Sequence, residues 1–260
     1  MGTAQVQGSL WGARARDYAS IAEGMFRSVY ARVFAEAAVG TGTKLLDVGC
    51  GPGLAAHLAA LRGAQVSGLD ASEPSLAIAR ERTPDGDFRA GEMEELPWPD
   101  DTFDVVTGFN SFQFAADPVN ALREAKRVTA PGGRVAMVVW GRDEDCDTMV
   151  TVAAVVKLLP LSPPGAAAPA TLSSQGRVEA LFDQAGLKLL TSDEVDCLFE
   201  FPDLETAVRG MMSAGVMVAA AQRAGVEMVQ RAVADSLAPF QTSTGAYRQR
   251  NRFRYVIASA

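Results

Sequence analysis

Histidine is almost missing: His57 is the only one in 260 residues. A histidine-rich metal centre is thereby excluded, as is histidine base catalysis from anywhere but the helix that carries this residue. The three cysteines, Cys50, Cys146 and Cys197, have neither metal-ligand spacing nor the even count of a disulfide framework. That usage fits a reducing compartment, and each cysteine reads as a small buried hydrophobe. No metal is expected. No uninterrupted apolar run approaches the roughly 20 residues of a membrane span. Residues 1–10 lack a basic region followed by an apolar core, so no signal peptide is evident and a cytoplasmic setting without membrane association is expected. Basic runs are missing outside the tail, and the net charge is −7, so nucleic acid is not an expected partner: an acidic surface repels phosphate backbones. Of 24 basic residues only Lys44, Lys126, Lys157 and Lys188 are lysines, which together with the abundant alanine reflects composition rather than function.

What the chain has is apolar mass and one distinctive turn. With 48% hydrophobic and 21% charged residues it is globular and long enough to bury a sizeable core, as one large domain or a domain with a cap. The stretch Leu45-Leu46-Asp47-Val48-Gly49-Cys50-Gly51-Pro52-Gly53 is an apolar, β-forming run ending in an acid and three glycines, and residues 54–61 follow as a helix former. Strand, glycine turn and helix together make a nucleotide site, because glycines admit positive φ and close ligand approach where a new helix presents unpaired N–H groups. The dinucleotide fingerprint G-x-G-x-x-G, counted from Gly49, requires glycine at position 54, where the chain has Leu54. A NAD(P)-dependent oxidoreductase is therefore the weaker alternative.

Further along, residues 65–69 read as a second strand ending at Asp70, 17 residues beyond Gly53. That is close to the roughly 20 at which an acid meets ribose hydroxyls in a βαβ unit. Ser72-Glu73-Pro74 supplies a cap and an early proline for the next helix, leaving the Asp70 carboxylate free for such a role. Residues 88–90 are a short third strand, followed by the acidic stretch Gly91-Glu92-Met93-Glu94-Glu95-Leu96-Pro97-Trp98 and Phe103-Asp104-Val105. Asp117-Pro118 opens another helix, and Pro131-Gly132-Gly133 turns the chain into the apolar strand 134–140, which ends at Trp140.

These motifs, in this order over roughly residues 40–140, resemble class I S-adenosylmethionine-dependent methyltransferases of the small-molecule type, similar to those of ubiquinone and menaquinone biosynthesis. The series Asp-x-Gly-x-Gly-x-Gly resembles their first motif, and an acid before the glycines suits a cofactor with an ammonium and a sulfonium instead of a pyrophosphate. The resemblance implies cofactor contacts at Tyr18, Asp47, Gly49, Cys50, Gly51, Gly53, Asp70, Ala71, Ser72, Glu92, Met93, Phe109 and Asn110. Glu92 stands where the family has an aspartate for the adenine amino group, with the Met93 N–H offered to the ring. Core packing is the bland alternative for Tyr18, and a solvated loop is the reading kept for Glu94 and Glu95.

Gln113 and Trp140 are the substrate-facing candidates, with core packing again the alternative for Trp140. No catalytic dyad is visible and no base is assigned. The Asn/Asp-Pro-Pro-Tyr/Phe signature of base- and glutamine-modifying relatives is missing after the fourth strand, which points to a small organic acceptor methylated at O, N or C. A non-catalytic S-adenosylmethionine-binding module is the second alternative.

The expected fold is a Rossmann-like doubly wound α/β sheet, mostly parallel with an antiparallel last strand, plus a helical cap insert. Residues 1–260 are expected to form a single methyltransferase domain, with an N-terminal helical segment over 1–39 and a cap over 202–245 between the last two strands. Helical periodicity over 17–38 predicts one amphipathic helix, and 147–159 and 175–185 predict two more. Residues 161–169 read as a proline- and alanine-rich connector, 195–201 as a sixth strand and 253–258 as the last. Two helices are expected in the cap, whose methionines line either an apolar pocket or a core. The basic cluster over 247–254 reads either as a holder for an anionic group or as a charge-guarded strand edge.

Overall fold

A computed structural model describes residues 2–159, 172, 174 and 176–260. The connector expected over 161–169 lies outside the described residues, as does Gln175, the expected first residue of its helix. The chain opens with α1 (Ala4–Gly12) and α2 (Ala15–Asp17), then a π-helical turn, Tyr18–Ala22, and a 3-10 turn, Glu23–Phe26, lead into α3 (Arg27–Glu36). The single helix expected over 17–38 is thus broken into three conformations. Alternating strands and helices follow: β1 (Lys44–Val48), α4 (Leu54–Ala60), β2 (Gln65–Asp70), α5 (Glu73–Arg82), β3 (Asp87–Ala90), β4 (Phe103–Phe109), α6 (Pro118–Val128) and β5 (Thr129–Trp140). The remainder is α7 (Thr148–Val156), α8 (Arg177–Gln184), β6 (Lys188–Phe201), α9 (Leu204–Met211), α10 (Gly215–Ala224), α11 (Val226–Leu237) and β7 (Tyr247–Ser259).

The seven strands form one sheet in the order β3-β2-β1-β4-β5-β7-β6. β7 runs antiparallel to both of its neighbours, and the pairings among β1 to β5 are parallel. Such a sheet must be covered on both faces, and its strands are accordingly apolar in succession rather than alternation. Leu45 belongs to one apolar core with α3, α4 and the cap helices, while the adjacent Leu46 and Val48 belong to a second core with α6 and α8. The Rossmann-like fold with its antiparallel strand is as expected. Because the strand order reverses between β1 and β4, their carboxyl ends open a crevice where ligands bind in such sheets.

Two strands are longer than the apolar pattern suggested. β6 begins at Lys188 and β7 at Tyr247, and the two pair along their whole length, with Tyr247, Gln249 and Asn251 buried in alternation and arginines between them. Arg248 donates to Glu200 at 2.6 Å and Arg252 to Asp196 at 2.8 Å, and Arg254 pairs with Glu179. The basic cluster therefore faces acids of its own chain, on a stretch of β7 that pairs with β6 throughout and with β5 only from Phe253 onward. Three helices, not two, occupy the insert. The first expected one breaks at Met212–Ala214, where Ser213 Oγ donates to Gly210 O at 2.5 Å and the Gly215 backbone lies against the Trp11 indole.

Candidate functional site

The glycine turn sits at the end of β1 in the crevice. Gly49, Gly51 and Gly53 have φ of +72°, +54° and +80°, conformations that side-chain-bearing residues rarely adopt. The N–H groups of Gly49 and Cys50 donate to Leu69 O at 2.7 and 3.0 Å, fastening the turn to β2. The two glycines differ in what surrounds them. A Cβ on Gly49 would stand 2.3 Å from Ser111 Cβ, whereas a Cβ on Gly51 would meet nothing within 4 Å. Gly51 faces open space, and that space is a cleft it shares with Gly49, Asp70 and Glu92.

Nine of the thirteen expected cofactor residues line the cleft: Tyr18, Gly49, Gly51, Asp70, Ala71, Glu92, Met93, Phe109 and Asn110. Asp70 ends β2 with its carboxylate engaged twice, by the Gly51 N–H at 2.8 Å and the Ser72 N–H at 2.7 Å. Burial raises its pKa, and the N–H groups of Ser72, Gly51 and Ala71 oppose that rise. Glu92, past β3, accepts from the Met93 N–H at 3.0 Å and, from across the cleft, from the Ala4 N–H at 2.9 Å. Asn110 follows β4 at φ +54°, and its Oδ1 is buried without a hydrogen-bond partner. An orphaned acceptor of this kind at a cleft wall is an unmet demand for a donor.

The other expected residues stand back from the cleft. Asp47 is buried on β1, accepting from Thr107 Oγ at 2.8 Å. Burial pushes its pKa up to about 7, against the Thr107 bond, and the charges of Asp70 and Glu23 add to the rise. The Cys50 thiol packs toward Gly68 and Phe88, Gly53 lies against Ala79, and Ser72 caps α5 by accepting from the Ser75 N–H at 3.2 Å. Gln113 occupies the 3-10 turn Phe112–Phe114 with a buried, unpartnered Oε1. Trp140 sits in an aromatic cluster, 4.5 Å from the Phe253 ring and 6.0 Å from Phe199. His57 is also away from the cleft, with Nδ1 3.1 Å from Thr83 Oγ.

α1 falls within the helical segment expected over 1–39, and its Ala4, Gln7 and Trp11, with Thr3 just before it, line the cleft, where no site role was expected of them. None of its residues is fully buried, so no apolar stripe announces the helix. It lies close because Gly8 and Gly12 leave no side chain between it and the start of α5: a Cβ on Gly8 would be 2.2 Å from Ala71 O. Trp11 meets Tyr18 edge to face at 5.5 Å, and Tyr18 in turn belongs to the π-helical turn, a conformation frequent at functional sites. Burial raises the Tyr18 pKa well above the ordinary phenol value, with the charges of Glu23 and Asp70 adding to it.

Residues 46–137 match a family model described as a methyltransferase domain. Within the class I S-adenosylmethionine-dependent family that the motifs resemble, the ubiquinone biosynthesis O-methyltransferase of Pseudomonas aeruginosa PAO1 is 35% identical over 129 residues, 46% of this chain and 54% of the relative. That of Bordetella bronchiseptica is 36% identical over 127 residues, 46% and 53% respectively. The chain thus spans about half the length of the curated relatives it matches.

Among solved structures, YcgJ of Bacillus subtilis superposes with a TM-score of 0.58 at 19% identity, covering 88% of this chain and 97% of its own. The geranyl diphosphate C-methyltransferase of Streptomyces coelicolor A3(2), in complex with S-adenosyl-L-homocysteine, gives 0.53 at 16% identity, covering 89% and 78%. The [4+2]-cyclase SpnF gives 0.55 at 22% identity, covering 87% and 80%. These likenesses concern the fold, which hosts more than one chemistry.

Proposed function

We propose that this methyltransferase transfers the methyl group of S-adenosylmethionine to an O, N or C atom of a small organic molecule. One observation carries the reading: carboxylates stand at the ends of three neighbouring strands around a glycine turn whose middle glycine faces open space. Asp47 lies on β1, Asp70 ends β2 and Glu92 follows β3. A pyrophosphate would be repelled by this set, whereas a ligand with an ammonium, a sulfonium, a ribose diol and an adenine amino group offers a donor or a positive charge to each. The orphaned Asn110 Oδ1 asks for a donor as well. The residues present therefore fit the cofactor.

When bound, S-adenosylmethionine supplies an electrophilic methyl group on a positively charged sulfur. The chain's own contribution is binding, orientation and exclusion of water. Asp70 is placed to accept from ribose hydroxyls while it holds the Gly51 N–H. Glu92 and Met93 line the cleft at the proposed adenine position, where the Met93 N–H donates to Glu92 Oε1 and would have to leave it to reach the ring. Asp47, held by Thr107, sets a negative potential behind the turn, which favours a cation in front of it. Trp11, Tyr18 and Phe114 form an aromatic wall: the Trp11 and Phe114 rings stand 5.7 Å apart, edge to face. Such a wall suits a planar or apolar acceptor and keeps the site dry. Rate enhancement by holding the acceptor within about 3 to 3.5 Å of the methyl requires no base from the protein.

A cytoplasmic setting belongs to this proposal. In its support, no described helix is long and apolar enough to cross a membrane, and all three cysteines are buried free thiols.

Calorimetric titration with S-adenosylmethionine, S-adenosylhomocysteine and NAD in parallel tests the reading. Micromolar binding of the first two without NAD is the expected result, and binding of NAD alone overturns it.

A further inference from the structure

We propose that Glu23 and Arg82 are positioning residues of this cleft, a buried clamp that locks the glycine turn to the N-terminal arm carrying Tyr18. The proposal rests on the cofactor reading above. Glu23 is only 2% exposed, on the 3-10 turn that follows the π-helical turn. Its Oε1 accepts from the N–H of Leu54, the first residue of α4, at 2.9 Å. Gly53, the residue before α4, has no side chain with which to cap the helix, so Glu23 supplies the missing acceptor from 31 positions earlier in the chain. Its Oε2 pairs with Arg82 Nη1 at the end of α5.

The guanidinium spreads the connection. Nη1 also donates to Pro52 O at 3.0 Å, inside the glycine turn, and Nη2 donates to Ala19 O at 3.0 Å, beside Tyr18. Two bonds of the clamp therefore end in the turn and one in the arm, with the ion pair joining them. A fork of fixed geometry is needed to reach Glu23, Pro52 and Ala19 together, which a lysine ammonium on its flexible stem does not reproduce. Burial raises the Glu23 pKa, and the bonds from Arg82 and Leu54 oppose that rise.

The clamp has a function because its two ends are the two walls of the cleft. A turn with three glycines in five residues is entropically costly to hold, and a single π-helical turn is sparsely populated. Ordering both before the ligand arrives lowers the cost of binding, since the ligand does not have to order them itself. A pair that merely held the fold together would affect unfolding and leave the affinity of the folded protein alone.

The test uses the full chain and three single variants, Glu23→Gln, Arg82→Lys and Tyr18→Ala, with the double variant Glu23→Gln/Tyr18→Ala. Glu23→Gln keeps the shape and an acceptor for Leu54, and Arg82→Lys keeps the charge, so if either fails to fold the other decides. Each is titrated with S-adenosylmethionine and S-adenosylhomocysteine below its measured unfolding transition. Amide exchange at residues 18–22 and 49–54 is followed without ligand.

The clamp predicts affinity about tenfold weaker in each clamp variant, the size of one charge-assisted hydrogen bond. It also predicts faster exchange in both segments together, and a double variant weakened by less than the product of its singles. Wild-type affinity in folded clamp variants, or faster exchange in only one segment, overturns the proposal and leaves the cofactor reading intact. A wild-type chain that binds neither ligand overturns the cofactor reading, and the positioning role with it.

Discussion

The Glu92 carboxylate accepts from the Ala4 N–H at 2.9 Å, so the acid expected to read adenine also caps the first turn of the helix covering the cleft. A side chain one methylene shorter retracts from that N–H while keeping its charge near the adenine position. Glu92→Asp is therefore expected to speed amide exchange across residues 4–12 and to change cofactor affinity little. Glu92→Ala is expected to do both, weakening binding by about 1 kcal/mol. Exchange mass spectrometry beside calorimetry checks the pair, and equal effects of the two variants on affinity contradict the division of labour.

Asp47 carries a pH dependence of definite sign. Its pKa in the fold is pushed up to about 7 by burial, above the 3.8 of an exposed aspartate, and the acids facing it are Asp70 and Glu23, with Thr107 donating. Over that window the folded state binds the proton that the unfolded state has lost. Stability from this group is thus present at low pH and declines as pH rises from about 4 to about 7, by a few kcal/mol at most. Asp47→Asn removes the dependence. Denaturant unfolding at pH 5 and pH 8 should show the variant gaining stability relative to wild type at pH 8 while its cofactor affinity falls. A variant that is less stable at pH 8 and binds as wild type contradicts both halves.

Asp70 gives a prediction in which structure and ligand compete for one carboxylate. The Gly51 and Ser72 N–H groups depend on it already, so Asp70→Ala removes their acceptor along with the expected ribose contact. A loss of about 1.5 to 3 kcal/mol in cofactor binding is expected. Asp70→Asn, which keeps one acceptor oxygen, should recover part of it. Unchanged affinity in the alanine variant, measured by calorimetry, removes Asp70 from the binding site.

Local chemistry was legible in the sequence and distant pairing was not. The Asp47 to Gly53 run, Asp70 at its interval and the capping residues Ser72 and Asp117 all act within a few positions, so their geometry is written in spacing. β6 and β7 were read too short because the missed part of β6, 188–194, is largely exposed and polar, and the missed part of β7, 247–252, alternates arginines with the buried Tyr247, Gln249 and Asn251, whose partners lie on β6. Glu23 is a lone acid in an amphipathic stretch, and nothing near it in sequence shows that Leu54 and Arg82, 31 and 59 residues on, will close over it. The place of α1 over the cleft was illegible for a related reason: it is held by Glu92, Phe114 O and the Trp11 contacts, with no apolar stripe of its own.

The glycines of the turn separate stability from binding. Both Gly49 and Gly51 have positive φ, so alanine at either carries backbone strain of about 1 kcal/mol. At Gly49 the new methyl would also meet Ser111 Cβ at 2.3 Å, and the Ser111 hydroxyl donates to Val48 O at 2.6 Å, which resists its displacement. Gly49→Ala is therefore expected to destabilise the fold by about 2 to 4 kcal/mol through overpacking added to strain. At Gly51 the methyl projects into the cleft, so Gly51→Ala should lose only the strain in unfolding but at least tenfold in cofactor affinity, because the ligand loses its close approach to the turn. Thermal unfolding and calorimetry on both variants check the contrast. A Gly51→Ala protein that binds cofactor as wild type places the ligand elsewhere in the cleft.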